Sequence, residues 1–324
     1  MHDNHAAAFA NSAMRLIILP TERCNYRCTY CYEDFAAGKM PAAIISSVIE
    51  FLKCRIPQLR SLEISWFGGE PLLATDVMLK IMEVAVSDCM KHNVELRSGV
   101  TTNGHLLDVS TFKELVDLKV NLFQITIDGP REIHNARRKG KHGPGDFDRI
   151  VDNIRAALKT GRDITIGLRV HLDKISAMGV DKLFREIIDV VSDPRTIVSF
   201  ERIKYLGGVG VPKDILVMAK SEYLSAVDDI VRRYEDTGTR IDNVRAKIDS
   251  HVCYAALPNN FVIRSNGLLQ KCTVALYDER NTVGMIGNGD ITINDQYANW
   301  LAGWFSADKA MLACPAKILL AEGK

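Results

Sequence analysis

Alternation of strand-like and helix-like runs from Arg15 to about Tyr205 predicts an α/β fold with a parallel sheet, curled into a barrel or partial barrel. Three observations carry this. Six short runs are rich in apolar and β-branched residues. Amphipathic segments with helical spacing separate them. The chain's unusual residues fall directly after strand-like runs, at the end where such barrels build their sites.

The first strand, Arg15–Leu19, is followed by Cys24, Cys28 and Cys31. The segment 41–58 places Ile45, Val48, Ile49, Leu52 and Ile56 on one helical stripe. The second strand, Leu62–Phe67, runs into Gly68-Gly69-Glu70-Pro71, and the next helix aligns Met78, Ile81, Met82, Ala85 and Cys89. Cys89 continues that stripe and reads as a core thiol; Cys54 also falls on a helix. The third strand, Val94–Thr101, ends in Thr102-Asn103-Gly104, and a helix covers 109–118. The fourth, Leu122–Asp128, puts Phe123, Ile125 and Ile127 on one face and Gln124, Thr126 and Asp128 on the other. A helix over 147–160 leads to the fifth, Ile164–Leu172. There Ile164, Ile166, Leu168, Val170 and Leu172 oppose Thr165, Gly167, Arg169 and His171. One helix over 180–191 and a sixth strand, Ile197–Tyr205, complete the series; a further helix spans 221–234. Helices should cover the apolar faces, so Thr126, Asp128, Arg169 and His171 should face the lumen as a polar ligand site.

Three regions are expected: a tail over 1–14, the barrel over 15–235 and a small extension over 236–324. The extension opens with a hairpin, Phe261–Arg264 and Leu268–Thr273, turning at Asn266-Gly267. It carries Cys253, Cys272 and Cys314.

The 324 residues are 47% hydrophobic and 25% charged, and 41 basic against 40 acidic residues leave a net charge of +1. That balance argues against nucleic acid or an anionic membrane as partner. The first residues show no basic n-region, and Leu16–Leu19 is too short for a signal or a span. A cytoplasmic, reducing location is expected, which suits free thiolates held for metal.

Cys24-Asn25-Tyr26-Arg27-Cys28-Thr29-Tyr30-Cys31 places three thiolates within eight residues. Thiolates suit iron–sulfur clusters, and three of them leave one iron of a four-iron cube open to a ligand. The competing reading is structural zinc, which needs a fourth N or S ligand that does not follow closely.

The Cys-x3-Cys-x2-Cys run, with Tyr30 before its last cysteine, resembles the radical SAM signature. Gly68-Gly69-Glu70-Pro71, Thr102-Asn103-Gly104, and Thr126-Ile127-Asp128-Gly129-Pro130 with His134 and Arg137 fit the same superfamily in order. The resemblance implies a partial (β/α)6 TIM-like barrel. Cys253, thirteen residues, then Gly267-x4-Cys272 resembles the opening of a SPASM or twitch extension. After it only Cys314 remains, and Lys317 stands where that pattern has a cysteine. A full pair of auxiliary clusters is not expected; Cys253, Cys272 and Cys314 could hold one, or none.

What the resemblance implies for roles is specific. Cys24, Cys28 and Cys31 ligate a [4Fe–4S] cluster whose open iron binds S-adenosylmethionine. One electron cleaves the sulfonium to a 5′-deoxyadenosyl radical, which abstracts hydrogen from substrate. Gly68 and Gly69 allow close backbone approach, and Glu70 can accept from the methionyl ammonium. Thr102 and Asn103 serve the ribose or methionyl group, or cap a turn. Arg169 suits the methionyl carboxylate, against an ion pair with Asp128. Thr126 can serve the carboxylate or ribose, Tyr30 the adenine, and Asp128 is cofactor-binding or structural. His134 and Arg137 lie in a region near substrate in the resembling enzymes.

The implied reaction is on a peptide or protein side chain: a thioether or carbon–carbon crosslink, or epimerisation, in a ribosomally made precursor. A flavodoxin or ferredoxin would supply the electron. Only 14 residues precede the first strand, so leader recognition would fall to the barrel rim, the extension or a partner. Anaerobic sulfatase maturation is an alternative. That group carries an acid directly after Gly-x4-Cys, where this chain has Thr273, with Asp278 and Glu279 nearby. A small-metabolite radical SAM enzyme and a non-catalytic zinc module are the others.

Overall fold

A computed structural model describes residues 8–140, 143, 145–204, 206, 217–242 and 252–320. In chain order it contains β1 (Ala13–Ile18), β2 (Tyr26–Cys28), α1 (Ala42–Arg55), β3 (Ser61–Trp66), α2 (Thr75–His92), β4 (Glu95–Thr102), α3 (Val109–Asp117) and β5 (Val120–Thr126). Then come α4 (Arg131–Arg137), β6 (Arg138–Gly140), α5 (Phe147–Lys159), β7 (Thr165–Leu172), α6 (Lys174–Met178), α7 (Val180–Glu186), α8 (Ile188–Val191), β8 (Thr196–Arg202) and α9 (Lys220–Tyr234). The last part holds β9 (Asn260–Ile263), β10 (Leu268–Gln270), β11 (Thr282–Gly287), β12 (Asp290–Ile293), α10 (Gln296–Phe305), α11 (Lys309–Ala313) and α12 (Pro315–Leu319). The expected sixth strand is observed to Arg202; Tyr205 lies outside the described residues, as do parts of the tail and extension.

The chain divides into two compact units. One comprises Met1–Arg23, Phe35–Gly99 and Asp249–Lys324; the other comprises Cys24–Asp34 and Val100–Ile248. In the first unit the strands run β12-β11-β10-β9-β1-β3, with the start of β4 beside β3. β1 pairs in parallel with β3 on one side and with β9 on the other. The β9–β10 hairpin expected at Asn266-Gly267 forms, antiparallel, with Gly267 at φ +87°. α1 buries Ile45, Val48, Phe51 and Leu52, and α2 buries Val77, Met78, Ile81, Met82, Ala85 and Cys89, the stripe its spacing predicts.

In the second unit β5, β7 and β8 are parallel neighbours, and a two-stranded ribbon pairs β2 with β6. β7 alternates strictly, its apolar residues buried and Thr165, Gly167, Arg169 and His171 half-buried. One expectation differs. The helix over 180–191 is two short ones, α7 and α8, and a third, α6, precedes them. Asp173 accepts from the backbone of Ile175 and Ser176 there and closes a capping box with Ser176. Gly179 separates α6 from α7, and a Cβ at that position would meet Pro130 Cδ at 2.9 Å. Ile187, at φ −125° and ψ +33°, separates α7 from α8.

Candidate functional site

The cysteine loop lies in the second unit and is held by its own backbone and by polar neighbours. Cys31 N donates to Cys28 O at 3.1 Å, and Thr29 N donates to Arg137 O at 3.0 Å. Tyr26 N donates to Cys24 Sγ at 3.4 Å, a bond that favours the thiolate. The Tyr26 hydroxyl reaches His105 Nδ1 at 3.2 Å, and that imidazole stands 2.9 Å from Asp146. Asn103 Nδ2 donates to Asn25 Oδ1 at 2.7 Å, inside the cysteine run.

β2 and β6 place Cys28 directly opposite Arg138. Arg138 is 8% exposed; its Nη1 donates to the Tyr30 hydroxyl at 2.7 Å and lies 3.9 Å from Asp128. Tyr30 donates to Asp128 Oδ2 at 2.5 Å, and His171 Nδ1 sits 3.0 Å from Asp128 Oδ1. Burial would raise the Asp128 carboxyl, but the Arg138 guanidinium, His171 and His134 outweigh it and hold it well below the usual carboxylate range. Burial pushes the Cys28 thiol up, with Arg138 opposing. Cys31 is pushed up to about 12 by burial, then by Cys28 and Glu33. A soft metal that displaces these protons relieves that cost.

Arg169 faces as the alternation predicts. The register aligns Thr126, Arg169 and Ser199 across β5, β7 and β8. The Arg169 guanidinium pairs with Glu201 at 3.9 Å, not with Asp128, and its buried Nε has no hydrogen-bond partner among the described residues. A buried, unpartnered guanidinium N–H suits a carboxylate ligand. At the end of β4 the turn-cap reading is realised. Gly104 N donates to Thr102 Oγ1 and His105 N to Asn103 Oδ1, both at 3.0 Å.

His134 and Arg137 are structural in their contacts. His134 is fully buried; its Nδ1 accepts from Asp128 N at 3.4 Å, and its ring meets Phe147 edge-on. Burial pushes this imidazole down to about 3, Arg138 adding to the effect. Arg137 pairs with Asp173.

The Gly68-Gly69-Glu70 loop lies in the first unit, against the backbone of Thr21–Arg23. A Cβ on Gly68, at φ +116°, would stand 2.3 Å from Thr21 O, and one on Gly69 2.5 Å from Arg23 O. Glu70 N donates to Arg23 O at 2.9 Å. The close approach the glycines permit is therefore to the chain's own strand exit, immediately before Cys24. Glu70 is fully buried, and its carboxylate accepts from Leu72 N at 3.0 Å. Glu22, also fully buried, is held by both Arg264 and Ser265.

Cys253, Cys272 and Cys314 lie in the first unit. Cys253 N donates to Leu312 O at 2.8 Å, which sets it beside the turn carrying Cys314. Burial raises the Cys253 thiol, and Cys272 and Cys314 both add to the shift. The Tyr254 hydroxyl bonds Thr273 Oγ1 at 2.7 Å, so the residue directly after Cys272 is engaged with a phenol. Sequence reasoning missed Lys271. Its fully buried Nζ donates to Leu257 O at 2.6 Å and Asn260 O at 2.7 Å, beside the stacked Phe261 and Tyr297 rings. It missed Arg138 too, which the adjacent Arg137 made indistinguishable.

Among the described residues no three His, Cys, Asp or Glu side chains converge on one metal position. The fit of an iron–sulfur group to Cys24, Cys28 and Cys31 rests on the donor set. Three thiols sit on one fastened loop, with a backbone N–H on Cys24 Sγ and a buried guanidinium opposite Cys28 whose Nε lacks a partner among the described residues.

The chain is 32% identical over 145 residues to a cysteine-type anaerobic sulfatase-maturating enzyme of Clostridium perfringens, covering 42% of this chain and 39% of that protein. The chain thus matches about two fifths of that relative's length. It is 23% identical over 324 residues to a probable GTP 3′,8-cyclase of Methanocella arvoryzae, covering 96% and 98% of the two chains. The fold matches native anSMEcpe with bound AdoMet and Cp18Cys peptide at a TM-score of 0.66, with 24% identity over 85% of this chain and 77% of the other. That likeness identifies the architecture as the α/β partial barrel of such structures. The model of the radical SAM superfamily matches residues 18–187, more than half of the chain, and the chain belongs to that superfamily.

Proposed function

We propose that this chain is a radical SAM enzyme acting on a peptide or protein side chain. The observation that carries it is the three-thiol loop fastened opposite a buried guanidinium. Cys24, Cys28 and Cys31 would hold a [4Fe–4S] cluster. When bound and reduced, it supplies the electron that cleaves S-adenosylmethionine to a 5′-deoxyadenosyl radical.

The protein's part is to bind, orient and exclude water. Arg169, with a partnerless Nε among the described residues, would take the methionyl carboxylate, and Thr126 beside it the same group or the ribose. Thr102 and Asn103 shape the turn at the end of β4. Tyr30 and Asp128 brace the cysteine loop and would serve the adenosyl end of the bound cofactor. In the first unit Cys253, Cys272 and Cys314 would hold at most one auxiliary cluster.

Similarity to a sulfatase-maturating enzyme supports a protein substrate. The Thr273–Tyr254 hydroxyl pair, where that chemistry would place a carboxylate, favours crosslinking or epimerisation of a peptide instead. Near full-length similarity to a probable GTP 3′,8-cyclase is what favours the second reading, a small metabolite.

Anaerobic purification tests the proposal. About four irons and four sulfides per chain are expected from the triad, more if the second trio is loaded. Reduction with S-adenosylmethionine should release 5′-deoxyadenosine, and Cys28→Ala should abolish it. Zinc without iron or sulfide would sink the enzyme reading. Stoichiometric labelling of a precursor peptide, set against turnover of a nucleoside triphosphate, separates the two substrate classes.

A further inference from the structure

Arg138 is costly to bury, and the fold does more than tolerate it. Two-stranded pairing between Tyr26–Cys28 and Arg138–Gly140 sets Arg138 across from Cys28. Directly opposed residues in an antiparallel pair project to one face with their Cβ atoms about 5 Å apart. The guanidinium can donate five N–H bonds in a fixed fork. One terminal nitrogen is used by the Tyr30 hydroxyl, at 2.7 Å. Asp128 stands at 3.9 Å, beyond hydrogen-bond distance, and its two oxygens are occupied by Tyr30 and His171. Nε is buried and has no acceptor among the described residues. An orphaned N–H on a buried cation is unfavourable unless something absent from the bare chain accepts it.

We propose that Arg138 is a tuning residue of the cluster site: in the loaded protein its Nε–H donates a charge-assisted hydrogen bond to the Cys28 thiolate and raises the cluster's reduction potential. The argument rests on the reading that Cys24, Cys28 and Cys31 hold the cluster. Reduction adds one negative charge to a group already ringed by thiolates, in surroundings that screen poorly. A cation and a hydrogen bond to sulfur stabilise that added charge, and both are recognised levers on cluster potential. Tyr30 then acts on Arg138 as its aligner, holding one terminal nitrogen of the fork and leaving Nε to the cluster. Arg137, one residue earlier, cannot substitute, because it is committed to Asp173.

The test uses the full-length, cluster-loaded protein in redox titrations followed by electron paramagnetic resonance. Arg138→Met keeps the stem and removes charge and donors. With wild-type iron and sulfide content it should lower the reduction equilibrium constant about tenfold, which for one electron is about 59 mV. Arg138→Lys, a point charge without the fork, should shift it less. An unchanged potential in a fully loaded Arg138→Met overturns the proposal. Should that variant fail to hold iron, wild-type protein carrying 15N-guanidino arginine decides. A nitrogen hyperfine coupling to the reduced cluster is expected, lost in Arg138→Lys; no coupling in the wild type overturns it. Wild-type protein without iron and sulfide would instead sink the triad assignment itself.

Discussion

A methyl group on Gly69 would stand 2.5 Å from the carbonyl oxygen of Arg23, closer than any Cβ sits in practice. Gly69→Ala must therefore lift the loop off the strand exit that precedes Cys24. The expected cost is about 1–3 kcal/mol, read as a lower urea midpoint, together with poorer iron retention. An unchanged midpoint would refute it. His134 makes a pH prediction. Burial first, then Arg138, keeps its imidazole neutral down to about 3. The unfolded side chain protonates near pH 6.5, so between these values the unfolded state binds the extra proton. Stability therefore falls as pH falls through this window, by up to about 1.4 kcal/mol per pH unit from this residue. Asp128, depressed in the fold, adds loss in the same direction at lower pH. Unfolding free energies at pH 7 and pH 5 should differ less in His134→Gln than in the wild type; equal slopes would exclude the effect. The thiol triad was legible because its spacing lies within one loop. Arg137 and Arg138 were not separable, because two adjacent arginines differ only in what the fold brings to each.

At the scale of elements, Asp173 does two jobs. It caps α6 through the backbone N–H groups of Ile175 and Ser176 and neutralises Arg137 in a nearly buried pair. Asp173→Ala removes a cap, worth about 1 kcal/mol, and strands a buried guanidinium, costing about 3 kcal/mol or more. Asp173→Asn retains the cap acceptor and should recover part of the loss; equal Tm values for the two variants would argue against the double role. The strands of the parallel series were readable because alternation has a period of two, and β7 keeps it without exception. The helix over 180–191 was misread as one because hydrophobic periodicity carries through breaks. Between α6 and α7 stands Gly179, where a side chain would meet Pro130, a neighbour remote in sequence.

At the scale of the whole chain, β9 pairs with β1 residue by residue, from Arg15 with Asn260 to Ile18 with Ile263. Glu22, fully buried and two residues before Cys24, is held by Arg264 and Ser265 at the hairpin's turn. The C-terminal hairpin thus completes the first unit's sheet. Deleting residues from Cys253 onward would expose an apolar strand edge and leave Glu22 as an uncompensated buried charge. The expected outcome is aggregated protein by size-exclusion chromatography; a monodisperse, folded truncation would overturn this. Among the described residues no helix is long and apolar enough to cross a membrane.

By itself the sequence determined the α/β class, the series of parallel strands, the hairpin and the three-thiol spacing. Each of these is written in periodicity or spacing over a few residues, where local sterics and hydrogen bonding decide. Only the tertiary structure decided that Arg138, not Arg169, stands by Asp128, that the paired glycines pack on Thr21–Arg23, and that Lys271 is buried. Those outcomes depend on which groups folding strips of water and on which distant partner then satisfies them, and desolvation leaves no periodic trace in a sequence.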